Sequence, residues 1–268
     1  MKKTEERHFS NVEITNEAEF YNHLMHIATY QYALKYVRGK SVLDWGCGTG
    51  YGSLMLAGIA DKVTAVDISD ETIEYAKNTF SADNLVFANI SELPDQKFDV
   101  ITAFQVIEHV RDGKKLIKEM RTFLNPHGCL LISTPDRTNR LFSCIQRPWN
   151  IFHYKEYSGI SLNNLLGEFF IKVEIQKIGS ASEIVKKEIL RTKKQRLISL
   201  PCTLIFYPDF LRIFLLKLQK RVYEIIRRLR RKRKSYAPRD FRAKYSVTDI
   251  EINYNVTLST DLLAICFI

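Results

Sequence analysis

Four glycines at alternate positions and one downstream carboxylate are the residues whose spacing points most directly to chemistry. The glycines lie between a short apolar run, 42–45, and a small and apolar run, 53–57; they are Gly46, Gly48, Gly50 and Gly52. Glycine lets a ligand approach the main chain closely, and the N-terminus of a following helix offers free N–H groups to an anion. Asp67 ends the next apolar run, where a carboxylate can accept hydrogen bonds from both hydroxyls of a ribose. The pattern predicts a nucleotide-like ligand.

The spacing of these glycines argues against a dinucleotide. A dinucleotide site has the pattern G-x-G-x-x-G, in which the third glycine helps the chain to cradle a pyrophosphate. Tyr51 occupies the position of that third glycine, and the chain has G-x-G-x-G instead. We therefore expect no NAD binding.

Several segments carry a resemblance to a known family. The segments VLDWGCGTGYGS and VTAVDIS resemble the first two motifs of class I S-adenosylmethionine (SAM)-dependent methyltransferases. The segment FDVITAFQVIEHV resembles the ubiquinone-biosynthesis-like subgroup, and STPD and HYKEYS resemble methyltransferases of bacterial surface-glycan synthesis. The resemblance covers roughly residues 20–180 and the final strand.

The resemblance implies SAM as the cofactor and a set of residues that hold it. Asn89 stands where relatives carry an aspartate that binds the adenine amino group, and Ile90 would pack on the base. Tyr30 would lie near the carboxylate end of SAM, unless its helix only packs on the sheet. The implied cofactor-binding residues are Tyr30, Asp44, Gly46, Cys47, Gly48, Gly50, Tyr51, Asp67, Ile68, Asn89, Ile90 and Gln105.

Catalysis at a sugar hydroxyl would gain from a base, because a hydroxyl is a poor acid. Such a base should lie at the carboxyl ends of the fourth and fifth strands or in the loop after the fifth. His109 is the first choice, with Glu108 to orient or assist it, and His153 is the second. The alternative is that His109 only hydrogen-bonds its loop and Glu108 only surrounds SAM.

We expect no metal at this site. Small-RNA 2′-O-methyltransferases carry E-x-x-E-H and a later histidine as metal ligands. Gln105 replaces the first carboxylate of that pattern, and a neutral amide is a poorer ligand for a hard cation.

The elements that position these residues form an α/β fold. The resemblance implies a Rossmann-like, doubly wound sheet of seven strands in the order 3-2-1-4-5-7-6, with the last strand antiparallel. We expect a helix beginning near Asp70 as its N-cap residue. The predicted organisation is an N-terminal helical cap at 1–40, a SAM-binding core at 41–179, a basic amphipathic helical insertion at 180–244 and final core strands at 245–268.

The positive charge of the chain is concentrated in the insertion. The net charge is +10, yet Val185 to Lys244 holds 20 Lys and Arg against 4 Asp and Glu. A long helix starts near Asp209, and its apolar stripe comprises Leu211, Leu215, Leu218, Val222, Ile225 and Leu229. Residues 209–234 could lie on an anionic membrane, pack on the domain or in a homodimer, or grip nucleic acid. Nucleic acid ranks last, because no RNA-binding module is recognisable.

Cysteine usage and the N-terminal residues bear on the compartment. The five cysteines lack paired spacing, which favours buried thiols in a reducing cytoplasm. Met1-Lys2-Lys3 precedes no apolar run, so we expect no signal peptide. We expect a cytoplasmic protein at the inner face of the membrane.

The function that the sequence favours is SAM-dependent O-methylation of a sugar hydroxyl on a lipid-linked or surface glycan. One alternative is O-methylation of a quinone-like or other small metabolite. Another is a non-catalytic SAM-binding scaffold for a membrane or complex.

Overall fold

The computed structural model describes residue 14 and residues 16–142, 145–230 and 241–268, with the backbone alone for 227–230. The first residues of the predicted cap, Cys144 and the basic residues 231–234 lie outside this part of the chain. Within it the strands are β1 (Ser41–Trp45), β2 (Lys62–Asp67), β3 (Leu85–Asn89), β4 (Phe98–Phe104), β5 (Leu124–Pro135), β6 (Lys172–Gly179), β7 (Glu251–Asn253) and β8 (Ser259–Phe267). The α-helices are α1 (Glu17–Val37), α2 (Tyr51–Ala57), α3 (Asp70–Thr79), α4 (Gly113–Thr122), α5 (Arg137–Arg140), α6 (Gly159–Gly167), α7 (Glu183–Ser199) and α8 (Asp209–Arg230).

The strands form one mixed sheet in the order β3-β2-β1-β4-β5-β8-β6-β7. Strands β1 to β5 are parallel, and β8 lies antiparallel between β5 and β6, as predicted for the last strand. The predicted number of seven strands is wrong. The eighth, β7, pairs with Lys177–Gly179 at the outer edge of β6. It is only three residues long, too short for an alternating pattern to reveal it.

The parallel strands bring their carboxyl ends to one edge of the sheet. Because β8 runs the other way, it is its first residues that reach this edge, and Asp261 pairs with Pro135 at the end of β5. Neighbouring strands lie about 4.8 Å apart, so the ends of β2 and β5 are separated by roughly 14 Å across the intervening β1 and β4. One continuous edge therefore carries the candidate residues.

Helices cover both faces of the sheet. Apolar side chains of α1, α2 and α7 pack on one face, with Tyr21, Leu56 and Val185 among the buried residues. On the other face α4 and α6 contribute Ile117 and Leu162, both without exposed surface. The N-cap of α3 is Ser69, whose side chain accepts from Thr72 N, and the prediction of Asp70 is wrong by one residue.

The basic insertion contains two helices with different surroundings. Helix α7 buries Ile184, Val185 and Ile189 in the core against α1. Helix α8 begins at Asp209 as predicted, yet Phe210 and Phe214 on it are largely exposed. In the described part of the chain, no helix combines the length and the apolar content needed to cross a bilayer.

Candidate functional site

The glycine loop between β1 and α2 rests on the end of β2. The amides of Gly46 and Cys47 both donate to the carbonyl oxygen of Val66, at 2.8 and 2.9 Å. Gly48 has a φ of +54°, and a Cβ there would meet no atom within 4 Å. The loop thus presents bare main chain to open space, where a ligand can approach it closely.

Gly50 has a steric reason of its own to be glycine. It is the N-cap of α2 with a φ of +89°, and a Cβ would lie 2.7 Å from Phe87 Cε1. A side chain at this position would strain the loop and displace a core ring, so Gly50 shapes the loop from below.

Asp67 ends β2 directly beside the glycine loop. Its carboxylate accepts from Gly48 N at 3.2 Å and from Ser69 N at 3.0 Å, and the residue is 8% exposed in a cavity wall. These bonds orient the carboxylate in the wall, and a carboxylate oxygen can accept from a ligand hydroxyl as well as from an amide.

Asp44 lies beneath the loop, not in the cavity wall. Its carboxylate is fully buried and accepts from Ser53 Oγ at 2.6 Å, Thr102 Oγ1 at 2.7 Å and Tyr30 Oη at 3.2 Å. Burial raises its pKa, and the three hydroxyls oppose that shift. We therefore correct the expectation of direct cofactor contact: Asp44 holds β1, β4, α1 and α2 in place around the loop.

Aromatic side chains close the cavity above the loop. Tyr30 and Tyr51 line it, and the ring of Tyr30 meets that of Phe104 edge to face, with centroids 4.9 Å apart. Burial raises the pKa of both tyrosines, so their hydroxyls stay protonated. Helix α1 thus contributes Tyr30 to the wall of the cavity.

Of the two predicted adenine contacts, Ile90 reaches the cavity and Asn89 does not, and the predicted cofactor-binding residue Ile68 also reaches it. Ile68, 49% exposed, and Ile90 both line it. The Asn89 side-chain oxygen instead accepts from Ser91 N and Oγ, and its amide donates to Asp70 Oδ1 at 2.6 Å. The role predicted for Asn89 is therefore corrected, because its side-chain oxygen caps the turn that follows β3 and the residue does not line the cavity.

The cavity is large enough for two ligands. Its volume is about 1550 Å³, whereas a typical pocket for one drug-sized ligand measures roughly 300–1,000 Å³. Beyond the glycine loop it continues along the ends of β4, β5 and β8. The polar residues of that second region are Gln105, Glu108, His109, Arg140, Asn150, His153, Glu188, Arg191, Thr260 and Asp261.

Gln105 links the two regions and has an unusual backbone. Its φ of +56° is rare outside glycine and is typical of constrained functional positions. Its side-chain amide donates to Asp261 Oδ1 at 3.1 Å. Burial raises the pKa of Asp261 to about 6. Sequence patterns did not single out Asp261, although an antiparallel final strand must begin at this edge.

Glu108 is a fully buried carboxyl at the end of β4. Its Oε2 atom accepts from Thr134 Oγ1 at 3.0 Å, while Oε1 is buried with no hydrogen-bond partner. Burial raises the pKa of Glu108 to about 7, partly opposed by the charge of His153. The group can therefore be neutral or charged near physiological pH.

His153 forms a buried ion-pair chain with two residues that sequence analysis missed. Its Nδ1 lies 2.8 Å from Glu156 Oε1, and Arg140 Nε lies 3.1 Å from Glu156 Oε2. Burial would raise the pKa of Glu156, but Arg140 and His153 outweigh it and lower the pKa to about 2. An ionised carboxylate only accepts, so His153 Nδ1 carries a proton and the neutral ring has its basic lone pair on Nε2.

His109 packs edge to face on His153, and a carbonyl oxygen holds its ring. Its Nδ1 donates to the Phe152 carbonyl oxygen at 3.3 Å, and the two imidazole centroids are 4.8 Å apart. Glu108, His109 and His153 each offer a ligand atom within 4.8 Å of the others. All three predicted catalytic residues are thus together, in a group that could bind a proton, an acceptor hydroxyl or a cation.

Comparison with known proteins identifies the family. Residues 19–169 match the family model of the methyltransferase domain, which is more than half of the chain. The chain belongs to the methyltransferase-domain family.

Among relatives, a probable SAM-dependent methyltransferase of Mycolicibacterium smegmatis is 34% identical over 152 residues, 56% of this chain and 58% of that protein. A ubiquinone biosynthesis O-methyltransferase of Coxiella burnetii is 36% identical over 121 residues, 41% of this chain and 52% of that protein. The chain thus spans between half and two thirds of the length of these relatives.

A solved structure shares the fold at low identity. The N-methyltransferase NodS of Bradyrhizobium japonicum, in complex with S-adenosyl-L-homocysteine, aligns with a TM-score of 0.50 at 19% identity over 64% of this chain and 84% of that one. The cofactor of the chain is S-adenosylmethionine.

The geometry fits that cofactor. The open main chain at Gly48 admits a close ligand, the Asp67 carboxylate can take ribose hydroxyls, and Ile68 and Ile90 offer apolar surface to a base. Tyr30, Gly46, Cys47, Tyr51 and Gln105 also line the cavity, whereas Gly50 shapes the loop from outside it.

Proposed function

We propose that the chain transfers a methyl group from SAM to a hydroxyl of a sugar on a lipid-linked or surface glycan. The observation that carries this proposal is the buried His153–Glu156 pair, whose histidine lines the same cavity as the glycine loop and Asp67. A base held in this way suits an acceptor that must lose a proton as it reacts, which is the case for a hydroxyl.

The chain has three tasks in this reaction. SAM, when bound, supplies a methyl group on a positively charged sulfonium. The glycine loop and Asp67 hold the cofactor, and the buried walls exclude water. The second region of the cavity aligns the acceptor oxygen, and alignment supplies much of the acceleration of a displacement reaction.

We assign the base to His153 in preference to His109. Both rings are held through Nδ1, His109 by the Phe152 carbonyl oxygen and His153 by the Glu156 carboxylate, which stabilises the imidazolium formed on proton uptake. His153 Nε2 would take the hydroxyl proton as the oxygen attacks. Glu156 acts as a positioning residue because it bonds the ring of His153, and Arg140 acts through it by pairing with the other Glu156 oxygen.

Polar groups around the second region favour a sugar over an apolar acceptor. The Trp149 indole Nε1 is buried without a hydrogen-bond partner in a residue that lines the cavity. Arg191 offers donors and Asp261 offers an acceptor in the same wall. Each sugar hydroxyl can both donate and accept, so an acceptor rich in hydroxyls would satisfy this wall.

A quinone-like phenol is the second candidate acceptor. The name of the Coxiella burnetii relative, a ubiquinone biosynthesis O-methyltransferase, favours it. A phenol is the stronger acid, so its methylation would depend less on a base. The two candidates therefore differ in how strongly they need His153.

We further propose that the reaction needs no metal. Gln105 stands where the metal-dependent pattern has a carboxylate, and its amide already donates to Asp261. Activity should survive EDTA, and restoration of a chelated enzyme by Mg²⁺ or Mn²⁺ would contradict this.

The deciding experiment is transfer of label from methyl-labelled SAM into fractionated extracts of glycan-producing cells. We expect label in the lipid-linked glycan fraction, in a methyl ether that alkali does not cleave. We expect no label with His153→Gln. Label confined to quinone-containing lipid would favour the second candidate. SAM binding without transfer to any fraction would leave the scaffold alternative.

A further inference from the structure

Helix α8 presents an apolar strip to the outside of the molecule. Five of its residues, 47–74% exposed, recur every three or four positions and so share one side of the helix: they are Phe210, Phe214, Leu218, Val222 and Ile225. Of the stripe predicted from sequence, Leu218, Val222 and Ile225 belong to this strip, Leu211 and Leu215 are half-buried, and the side chain of Leu229 lies outside the described residues. Large apolar side chains at this exposure, grouped on one face, are typical of an interaction surface.

The opposite side of α8 fastens it to the domain. Arg212 and Leu216 are 1% and 7% exposed, and Gln219 Nε2 donates to the Ile198 carbonyl oxygen at 2.7 Å. These three positions are spaced by four and three residues, so they form a second face turned toward the protein. The apolar strip therefore points outward because the helix is already held by its other side.

Positive charge borders the strip. Lys217, Lys220 and Arg221 are exposed, and the only acid between residues 210 and 230 is Glu224. The sequence continues with a basic run through residues 227–234, whose side chains lie outside the described part of the chain. An apolar strip beside cations matches the boundary of an anionic bilayer, where acyl chains meet phosphates.

We propose that α8 lies along an anionic membrane surface, with the strip among the lipid chains and the basic side chains at the headgroups. A second copy of the chain fits less well, because pairing two such faces would bring their lysines and arginines together. RNA would use the cations but leave the phenylalanine rings in water. A bilayer satisfies both features at once.

The same helix is tied to the loop that carries His153. The Arg212 guanidinium donates to the carbonyl oxygens of Pro148 at 2.6 Å, Asn150 at 3.2 Å and His153 at 3.5 Å. Arg147 Nη2 lies 2.5 Å from Asp209 Oδ1 in the first turn of α8. A membrane-bound α8 would therefore hold the acceptor region next to the lipid surface. This last step, though not the binding itself, depends on the proposed function.

Flotation of the full chain with vesicles tests the binding. We expect flotation with equimolar phosphatidylcholine and phosphatidylglycerol, little with phosphatidylcholine alone, and weakening by salt, since screening acts over about 8–10 Å. The triple variant Lys217→Glu, Lys220→Glu and Arg221→Glu should lower partitioning at least tenfold, because it replaces three cations at the headgroups with three anions. Phe210→Ser with Phe214→Ser should lower it as well.

Controls separate this proposal from its rivals and from the proposed function. Ile171→Ser removes an apolar side chain that is 91% exposed outside α8, and it should float like the wild type. All variants should bind SAM equally. The proposal would be overturned by equal flotation with both vesicle types or by retention on RNA in place of vesicles. It would also be overturned if the chain formed a dimer that persists after the charge reversal. Flotation without methylation of lipid-linked glycan would overturn only the proposed acceptor.

Discussion

At the scale of single residues, the partner of an imidazole nitrogen decides what the ring can do. Glu156 is held ionised by Arg140, so it keeps the proton on His153 Nδ1 and the lone pair on Nε2. His109 donates to a neutral carbonyl, which orients it but stabilises its protonated form less. Two neighbouring histidines thus differ in suitability as a base.

Replacing these histidines one at a time should show that difference. His153→Gln should lower kcat by about 10²–10⁴, with little change in SAM affinity, because it removes a general base. His109→Gln, the matched control in the same cavity, should cost no more than about tenfold. Glu156→Gln should lower kcat and move the rising limb of the pH–rate profile to lower pH, since a neutral amide stabilises the imidazolium less.

Steady-state kinetics and calorimetry of SAM binding are the measurements. A larger loss of kcat in His109→Gln than in His153→Gln would return the role of base to His109. Full activity in both variants would mean that positioning alone suffices.

Glu108 links the site to the stability of the fold. Its pKa is raised by burial from 4.5 to about 7, so between these values the folded state keeps a proton that the unfolded state has lost. The free energy of unfolding must therefore fall as pH rises through this window, by about 3 kcal/mol in total. This fall in the free energy of unfolding is absent below pH 4.5 and complete above about pH 7.

The variant Glu108→Gln should remove this dependence. Urea denaturation at pH 5 and pH 8 should show a smaller loss of stability in the variant than in the wild type. Asp261→Asn serves as the control: its carboxyl has a pKa raised by burial from 3.8 to about 6, so it should mainly change the dependence below pH 6. Identical pH slopes in wild type and Glu108→Gln would contradict a carboxyl held neutral by burial.

At the scale of elements, the sequence predicted those features that depend on residues close together in the chain. The glycine turn, the strand ending at Asp67 and the long helix from Asp209 could be predicted because each depends on neighbours in sequence. Glu156, Arg140 and Asp261 could not, since their roles arise from pairing across 16 residues or from a strand that returns from the end of the chain. Tertiary contacts, not sequence spacing, bring them together.

The basic insertion also shows that sequence patterns do not predict which residues are buried by tertiary contacts. The sequence predicted one basic amphipathic insertion at 180–244, yet α7 within it belongs to the core and contributes to the cavity wall. Glu188 on α7 is 4% exposed, and Arg191 pairs with it through two hydrogen bonds of 2.5 and 2.7 Å. Composition averages over a segment, whereas burial is decided residue by residue.

Alanine substitutions along α7 should reveal its two faces. Val185→Ala and Ile189→Ala remove side chains that are 0% and 5% exposed, so they should lower the free energy of unfolding by about 1–3 and 2–5 kcal/mol. Leu190→Ala, at 66% exposure on the same helix, should change it by less than about 0.5 kcal/mol. Equal, small effects at all three positions, measured by urea denaturation, would mean that α7 is not part of the folded core.

At the scale of the whole molecule, one cavity joins segments that are distant in sequence. Its walls come from α1 near the start, from the ends of the central strands, from α7 and from the first residues of β8. A ligand in it therefore contacts parts of the chain that separate on unfolding, and its binding energy becomes folding energy.

Thermal unfolding with and without cofactor measures this coupling. At a SAM concentration of about 100 times its dissociation constant, the folded state gains about 2.7 kcal/mol, which should raise Tm by about 5–10 °C. Asp67→Ala should weaken SAM binding by about 1.5–3 kcal/mol through lost charge-assisted hydrogen bonds, so the same SAM concentration should give between about half and about a tenth of the shift. Asp83→Ala, an exposed carboxylate away from the cavity, should keep the full shift. NAD should give none, because Tyr51 replaces the third glycine of a dinucleotide loop; a NAD shift as large as that of SAM would overturn the assignment of the glycine loop and Asp67 to this cofactor.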